Sequence, residues 1–316
     1  MLALLRPLVR GLRLPSHRAR TLLAVGLVLS AGCAGCGAAK GGDTVTTLTY
    51  CSPGGVKERL AVYEPVPAPP RPAAAVVYVH GGGWASGSGR LSLFLGLVEK
   101  QIVDDGEIFV SVDYRLAPRY PWPAQIEDVK CAVRFLRHDA GSLEIDPSRI
   151  AAVGDSAGGQ LVSLLGLTGR GTDAFETGPY RNESSAVEAV VDMYGPTDLT
   201  TADWVGDPLM QNYARQTFGQ PLGQGTPALV AASPVTYVGA GAPPFLIIQG
   251  AQDTVVPAGQ STELARRLTA AGDEAELVMV ANAGHGLLHA GGAPTTPSLT
   301  TLSAQIGRFL SGALGT

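Results

Sequence analysis

The residues best suited to do chemistry lie in Gly154-Asp155-Ser156-Ala157-Gly158-Gly159, a G-x-S-x-G pattern. It follows an apolar run of strand length, Ile150–Val153, and precedes a helical pattern over 157–168. A strand-to-helix turn is the context that a nucleophile elbow requires. Glycines two before and two after Ser156 relieve crowding in so sharp a turn and lift the hydroxyl clear of the backbone. The helix that follows points unpaired N–H groups at the place where an oxyanion would form. The same residues also read as a glycine-rich turn capped by serine; the flanking strand and helix favour the nucleophile.

A serine nucleophile needs a base and an acid, which in sheets of this kind follow it in the order Ser, acid, His. That order excludes His17, His80 and His138 and leaves His285 and His289. His285 sits in Ala283-Gly284-His285-Gly286, just beyond the apolar run Leu277–Val280, in a short loop able to deliver an imidazole. His289 lies a helical turn further on and reads better as a solvated surface residue. The acid is expected after an earlier strand. Phe245–Ile248 is followed by Gln249-Gly250-Ala251-Gln252-Asp253, with Pro257 leading into the next helix. Asp253 would accept the imidazole N–H, fix its tautomer and stabilise the imidazolium; otherwise it is an ordinary turn residue. Asp198, in Gly195-Pro196-Thr197-Asp198, is the rival acid.

A third junction, His80-Gly81-Gly82-Gly83-Trp84 after Ala75–Val79, is a run of glycines that lets the backbone approach a ligand closely. It has the form of an HGGG oxyanion loop, whose donors would join the N–H of Ala157. One such donor is typically worth ~3 kcal/mol in the transition state. His80 would then orient the loop. A phosphate cradle is the competing reading, but the chain has neither a GxxxxGK[ST] nor a strand-linked GxGxxG.

These junctions presuppose strands alternating with helices. Apolar runs recur at Ala75–Val79, Ile108–Val112, Ile150–Val153, Val187–Met193, Phe245–Ile248 and Leu277–Val280, with helical patterns near 91–103, 124–139, 157–168, 258–271 and 298–313. Continuous apolar strands separated by helices imply a mostly parallel sheet covered on both faces. Such sheets bind ligands at the carboxyl ends of their strands, where the candidate residues fall. Val45–Tyr63 is expected to add an antiparallel edge. Segment 199–235 breaks the rhythm and reads as a small cap or loop insertion. Its aromatics Trp204, Tyr213 and Phe218, together with Trp84, either line a substrate pocket or pack in the core.

The first 32 residues carry five arginines and no acid; without them, 18 basic residues face 27 acidic ones, a net −9 against −4 for the whole chain. No basic face remains for nucleic acid, which is excluded as a partner. The arginines precede an apolar run, Thr21–Ala31, too short to span a membrane. This is the layout of an export signal over 1–32. Ser30-Ala31-Gly32-Cys33 resembles a lipoprotein processing box, although Ser30 stands where Leu, Val or Ile is usual. Cys33 is therefore the lipidation candidate, with ordinary secretion as the alternative, and 33–44 a flexible tether. Membrane attachment would come through that lipid only. On helix 124–139, Ile126, Val129, Val133 and Leu136 form the apolar stripe and Cys131 falls opposite, where pairing with Cys51 competes with two free thiols. The four cysteines and five scattered histidines offer no metal spacing.

HGGGW, Asp113-Tyr114-Arg115-Leu116-Ala117-Pro118, GDSAGG, the acid loop before Val256-Pro257 and Gly284-His285-Gly286 occur together in order. Over about Leu48 to Leu310 the chain resembles the hormone-sensitive-lipase-like branch of the α/β-hydrolases, nearest to bacterial feruloyl-esterase-like or lipase-like carboxylesterases. The resemblance implies an α/β-hydrolase fold over 45–316, with Ser156, Asp253 and His285 as the triad. It also implies Gly82, Gly83 and Ala157 as oxyanion donors, and hydrolysis of small or polysaccharide-linked carboxylic esters without a cofactor. The DYRLAP segment is expected to be a structural turn. Lipase, lactonase, amidase and peptidase activities use the same triad, and a non-catalytic binding protein on this scaffold would lack part of it.

Overall fold

The computed structural model describes residues 44–204 and 208–316. Eight strands form one sheet: β1 (Thr44–Cys51), β2 (Glu58–Glu64), β3 (Ala73–Val79), β4 (Ile108–Val112), β5 (Ile145–Asp155), β6 (Val190–Met193), β7 (Phe245–Gly250) and β8 (Ala275–Val280). Their order is β1-β2-β4-β3-β5-β6-β7-β8. β2 is antiparallel to both β1 and β4, giving the expected antiparallel edge, and every other neighbouring pair is parallel.

The sheet is covered on both sides, which is why its central strands show no polar alternation. In β3 every residue is buried. Ala75, Val77 and Val79 enter one core, while Ala74, Val76 and Tyr78 enter the other. The first core is closed by α2 (Ala124–His138), α4 (Ala157–Thr168) and α7 (Gly259–Ala271), and the second by α1 (Leu93–Asp104) and α8 (Leu299–Leu314). Serine side chains cap the two helices of the second core: Ser92 accepts from the Leu95 N–H and Ser298 from the Thr301 N–H. Short helices α3 (Ala140–Leu143), α5 (Pro208–Phe218) and α6 (Pro227–Ala232) complete the set, the last two within segment 199–235.

Two features depart from expectation. β6 begins at Val190, not Val187, although the Glu188 N–H still donates to Ile150 O and the Ala189 carbonyl accepts from the Ala152 N–H. A long connection precedes it, and its earlier part is laid over α2. Lys130 donates to Thr168 O at 2.9 Å and to Glu176 Oε1 at 2.8 Å, and Arg134 pairs with the same carboxylate. Both cations are fully buried, so α2 is enclosed far beyond its apolar stripe. Cys131 lies off that stripe, yet it is buried too, and its sulfur is bonded to Cys51 at the end of β1. The expected signal peptide, Cys33 and the tether lie outside the described residues, except Thr44, which opens β1.

Candidate active site

Ser156 stands between β5 and α4 with φ +53° and ψ −120°, backbone angles that a side-chain-bearing residue adopts only at a cost. The turn is held by the Ser156 N–H, which donates to Met193 O at 2.8 Å, and by the Ser156 carbonyl, which accepts from the Gln160 N–H at 3.1 Å. The flanking glycines have a steric reason. A β-carbon at Gly154 would strike the Gly158 carbonyl, and one at Gly158 would strike the Val79 carbonyl. The helix start therefore packs directly on the end of β3, placing Ser156 beside the glycine loop.

His285 projects from the loop after β8. Its Nε2 lies 3.0 Å from Ser156 Oγ, and its Nδ1 lies 2.9 Å from Asp253 Oδ2. Asp253 follows β7 with its side chain fully buried. Its Oδ1 accepts from the N–H groups of Val255 (2.8 Å) and Val256 (2.9 Å), and Oδ2 also accepts from Gln249 Nε2 at 3.1 Å. Gln249 is itself held by the Ser261 hydroxyl. Three donors thus aim one carboxylate at one ring nitrogen, which fixes the Nδ1–H tautomer and leaves Nε2 to accept the serine proton. The Tyr194 ring meets the imidazole edge-on at 5.0 Å. The rival acid Asp198 caps its own turn, accepting from the Thr200 N–H and hydroxyl, and His289 sits in a short antiparallel bridge with Ala283.

In the glycine loop, Gly82 and Gly83 have φ of +110° and +59°, values that favour glycine. The Gly81 carbonyl faces His80 Nδ1 (2.6 Å), and the Gly82 carbonyl accepts from the Ser86 N–H (3.0 Å) and hydroxyl (2.8 Å). Because trans peptides point N–H opposite to C=O, the Gly82 and Gly83 N–H groups are turned away from those partners. The loop is moored to the elbow by Asp155, whose Oδ1 accepts from the Gly81 N–H (3.0 Å) and the Tyr78 hydroxyl (2.8 Å). Burial lifts that carboxyl above its ordinary range despite these donors. His80 stacks on Tyr114 at 4.2 Å, and burial lowers its pKa. In the DYRLAP segment, Asp113 accepts from the Gly89 N–H and Arg115 pairs with Asp128.

Trp84 is not a pocket wall. It is fully buried, and its indole N–H donates to Gln160 Oε1 at 2.9 Å. The structure also brings in two residues that sequence reasoning gave no role, Asp155 and Gln160, and it packs the insertion aromatic Tyr213 of α5 against Gly83. Asp155 and Gln160 flank the serine in sequence, but their partners are 74 and 76 residues away, so no local pattern reveals them.

Chemically, the arrangement offers an aligned nucleophile, base and acid beside backbone donors for a developing oxyanion. Among the described residues, no three His, Cys, Asp or Glu side chains gather as a metal site. The model of the BD-FAE family matches residues 60–268. Esterase LipC of Mycobacterium tuberculosis is 32% identical over 241 residues, which are 76% of this chain and 59% of LipC. The chain thus spans little more than half the length of the curated relatives it matches. Two solved structures superpose over most of both chains. A truncated carbohydrate esterase from gut microbiota has a TM-score of 0.75 and 26% identity, covering 88% of this chain and 99% of its own. The butyrate-bound esterase Est2 of Thermogutta terrifontis has a TM-score of 0.68 and 25% identity, covering 86% and 94%. With the fold, the ordered motifs and a match across two thirds of its length, the chain belongs to the BD-FAE family, in the hormone-sensitive-lipase-like branch of the α/β-hydrolases.

Proposed function

We propose that this chain is a serine carboxylesterase acting on short-chain or aromatic carboxylic esters. The observation that carries the reading is the chain of contacts Ser156 Oγ–His285 Nε2–Asp253, at 3.0 and 2.9 Å, set beside the glycine loop, whose Gly82 and Gly83 N–H groups point away from the partners of its carbonyls. His285 takes the Ser156 proton as the oxygen attacks the ester carbonyl. The oxyanion forms against the N–H groups of Gly82, Gly83 and Ala157, and Asp253 stabilises the imidazolium. His285 then protonates the leaving alcohol, and water, activated in the same way, releases the acid from the acyl-enzyme.

Small acyl groups are favoured by the Est2 structures, one holding propionate and another butyrate. The carbohydrate esterase among the structural neighbours favours an ester borne on a sugar. Export through residues 1–32, with lipid attachment at Cys33, belongs to the same proposal and rests on the sequence; loss of labelled-palmitate incorporation in Cys33→Ala tests the lipid. The substrate reading is tested with p-nitrophenyl esters from acetate to palmitate. A maximum at acetate or butyrate is expected, and a maximum at long chains would make the enzyme a lipase instead.

A further inference from the structure

The segment between β6 and β7 does more than fill space above the sheet: it is tied to the glycine loop at three points. The ring of Tyr213, on α5, packs so closely on Gly83 that a β-carbon there would drive into it. Phe218, at the end of α5, meets the Trp84 indole edge-on at 5.1 Å. The third tie is Gln160. Its Oε1 accepts from Trp84 Nε1 at 2.9 Å, its Nε2 donates to Ala232 O at the end of α6 at 2.7 Å, and its backbone N–H donates to Ser156 O at 3.1 Å. The side chain is fully buried, so both ends of the amide are committed with no water to replace either partner.

Trp84 follows Gly83 directly, is itself held at φ +60°, and offers its carbonyl to the Ala117 N–H at 3.0 Å. Fixing its indole therefore fixes the rotation of the peptide units that precede it, which carry the donors. We propose that Gln160 is a positioning residue: through Trp84 and Ala232 it locks the glycine loop to both the nucleophile turn and the cap segment, setting the donors of Gly82 and Gly83 for the transition state. This rests on the serine-esterase reading. The cap acts as a brace on the oxyanion site, with Tyr213 and Phe218 closing it from outside.

The test compares Gln160→Met, which keeps the volume and loses both hydrogen bonds, with Trp84→Phe, which loses the indole donor together with part of the buried ring, and with the double variant. Each is assayed for kcat and KM on p-nitrophenyl acetate and for inhibition by butylboronic acid. That inhibitor reports the oxyanion site: Ser156 Oγ adds to boron, its proton passes to His285, and no group leaves. The expected result is a fall in kcat of roughly tenfold to a hundredfold for either variant, a fraction of the loss from deleting a donor outright. KM should stay within about threefold. The boronate Ki should rise in parallel with the fall in kcat/KM, and the two single effects should not multiply in the double variant, because the Trp84–Gln160 bond that Trp84→Phe removes is already lost in Gln160→Met. Folded variants with wild-type kcat and Ki, or effects that multiply in the double variant, would overturn the proposal while leaving the esterase reading intact. If Gln160→Met fails to fold, Trp84→Phe alone decides by the same two readouts. A wild-type chain that neither hydrolyses the ester nor binds the boronic acid would overturn both.

Discussion

Asp192 lies within β6, fully buried, one strand over from the nucleophile turn. Its Oδ2 accepts from the Ser163 hydroxyl at 2.8 Å and its Oδ1 from the Gly195 N–H at 2.9 Å. No cation pairs with it among the described residues. Burial outweighs the two donors and raises the carboxyl from 3.8 to about 6. Since the folded state holds this proton more tightly than the unfolded chain, the contribution to stability is complete below pH 3.8. It declines as pH rises and is gone above pH 6. A carboxyl displaced that far corresponds to about 3 kcal/mol against the ionised fold at neutral pH. Roughly half of it, 1–2 kcal/mol, falls between pH 5 and pH 8. Asp192→Asn keeps an acceptor for Gly195 and removes the titration. The difference in unfolding free energy, variant minus wild type, measured by urea denaturation, should therefore rise by about 1–2 kcal/mol from pH 5 to pH 8. In a domain of this size that is on the order of 2–8 °C in Tm. A difference that does not change with pH would refute the reasoning, because nothing else about the substitution titrates in that window.

Two further outcomes follow from the same contacts. Asp253→Asn presents an N–H where His285 Nδ1 needs an acceptor, so kcat on p-nitrophenyl acetate should fall by about 10⁴, as in other Ser-His-Asp triads, with the Tm nearly unchanged; a loss under tenfold would remove Asp253 from the triad. Cys51 and Cys131 are separated by 80 residues, and a loop of that length places the disulfide at about 4.5 kcal/mol by loop-closure entropy. Cys131→Ser should lower the urea midpoint accordingly, and thiol titration of the unfolded wild type without reductant should find neither Cys51 nor Cys131 free.

The parts of this molecule that could be read from residues are those governed by local rules. β3, β4 and β7 are continuous apolar runs because each is covered on both faces. Gly154 and Gly158 stand where backbone meets backbone, and Asp253 and His285 fall in loops that directly follow strands. What escaped reading depends on partners remote in sequence. Nothing about Lys130 and Arg134 on a helix suggests burial until Glu176, more than forty residues on, folds over them. Cys131 lies opposite the apolar stripe of α2, and only the antiparallel edge strand that covers it explains why that side is also interior. Trp84 has the composition of a pocket residue, and its removal from solvent follows from Gln160 and Phe218, neither of which marks itself by spacing.

The central claim is that Ser156 is an activated nucleophile and that His285 activates it. Peptide mass spectrometry after treatment with a fluorophosphonate tests it most directly. Wild type should carry one adduct, on Ser156, formed within minutes, and His285→Ala should label slower by orders of magnitude although folded. A wild-type chain left unlabelled at Ser156, or a His285→Ala variant labelled as fast as wild type, would contradict the account.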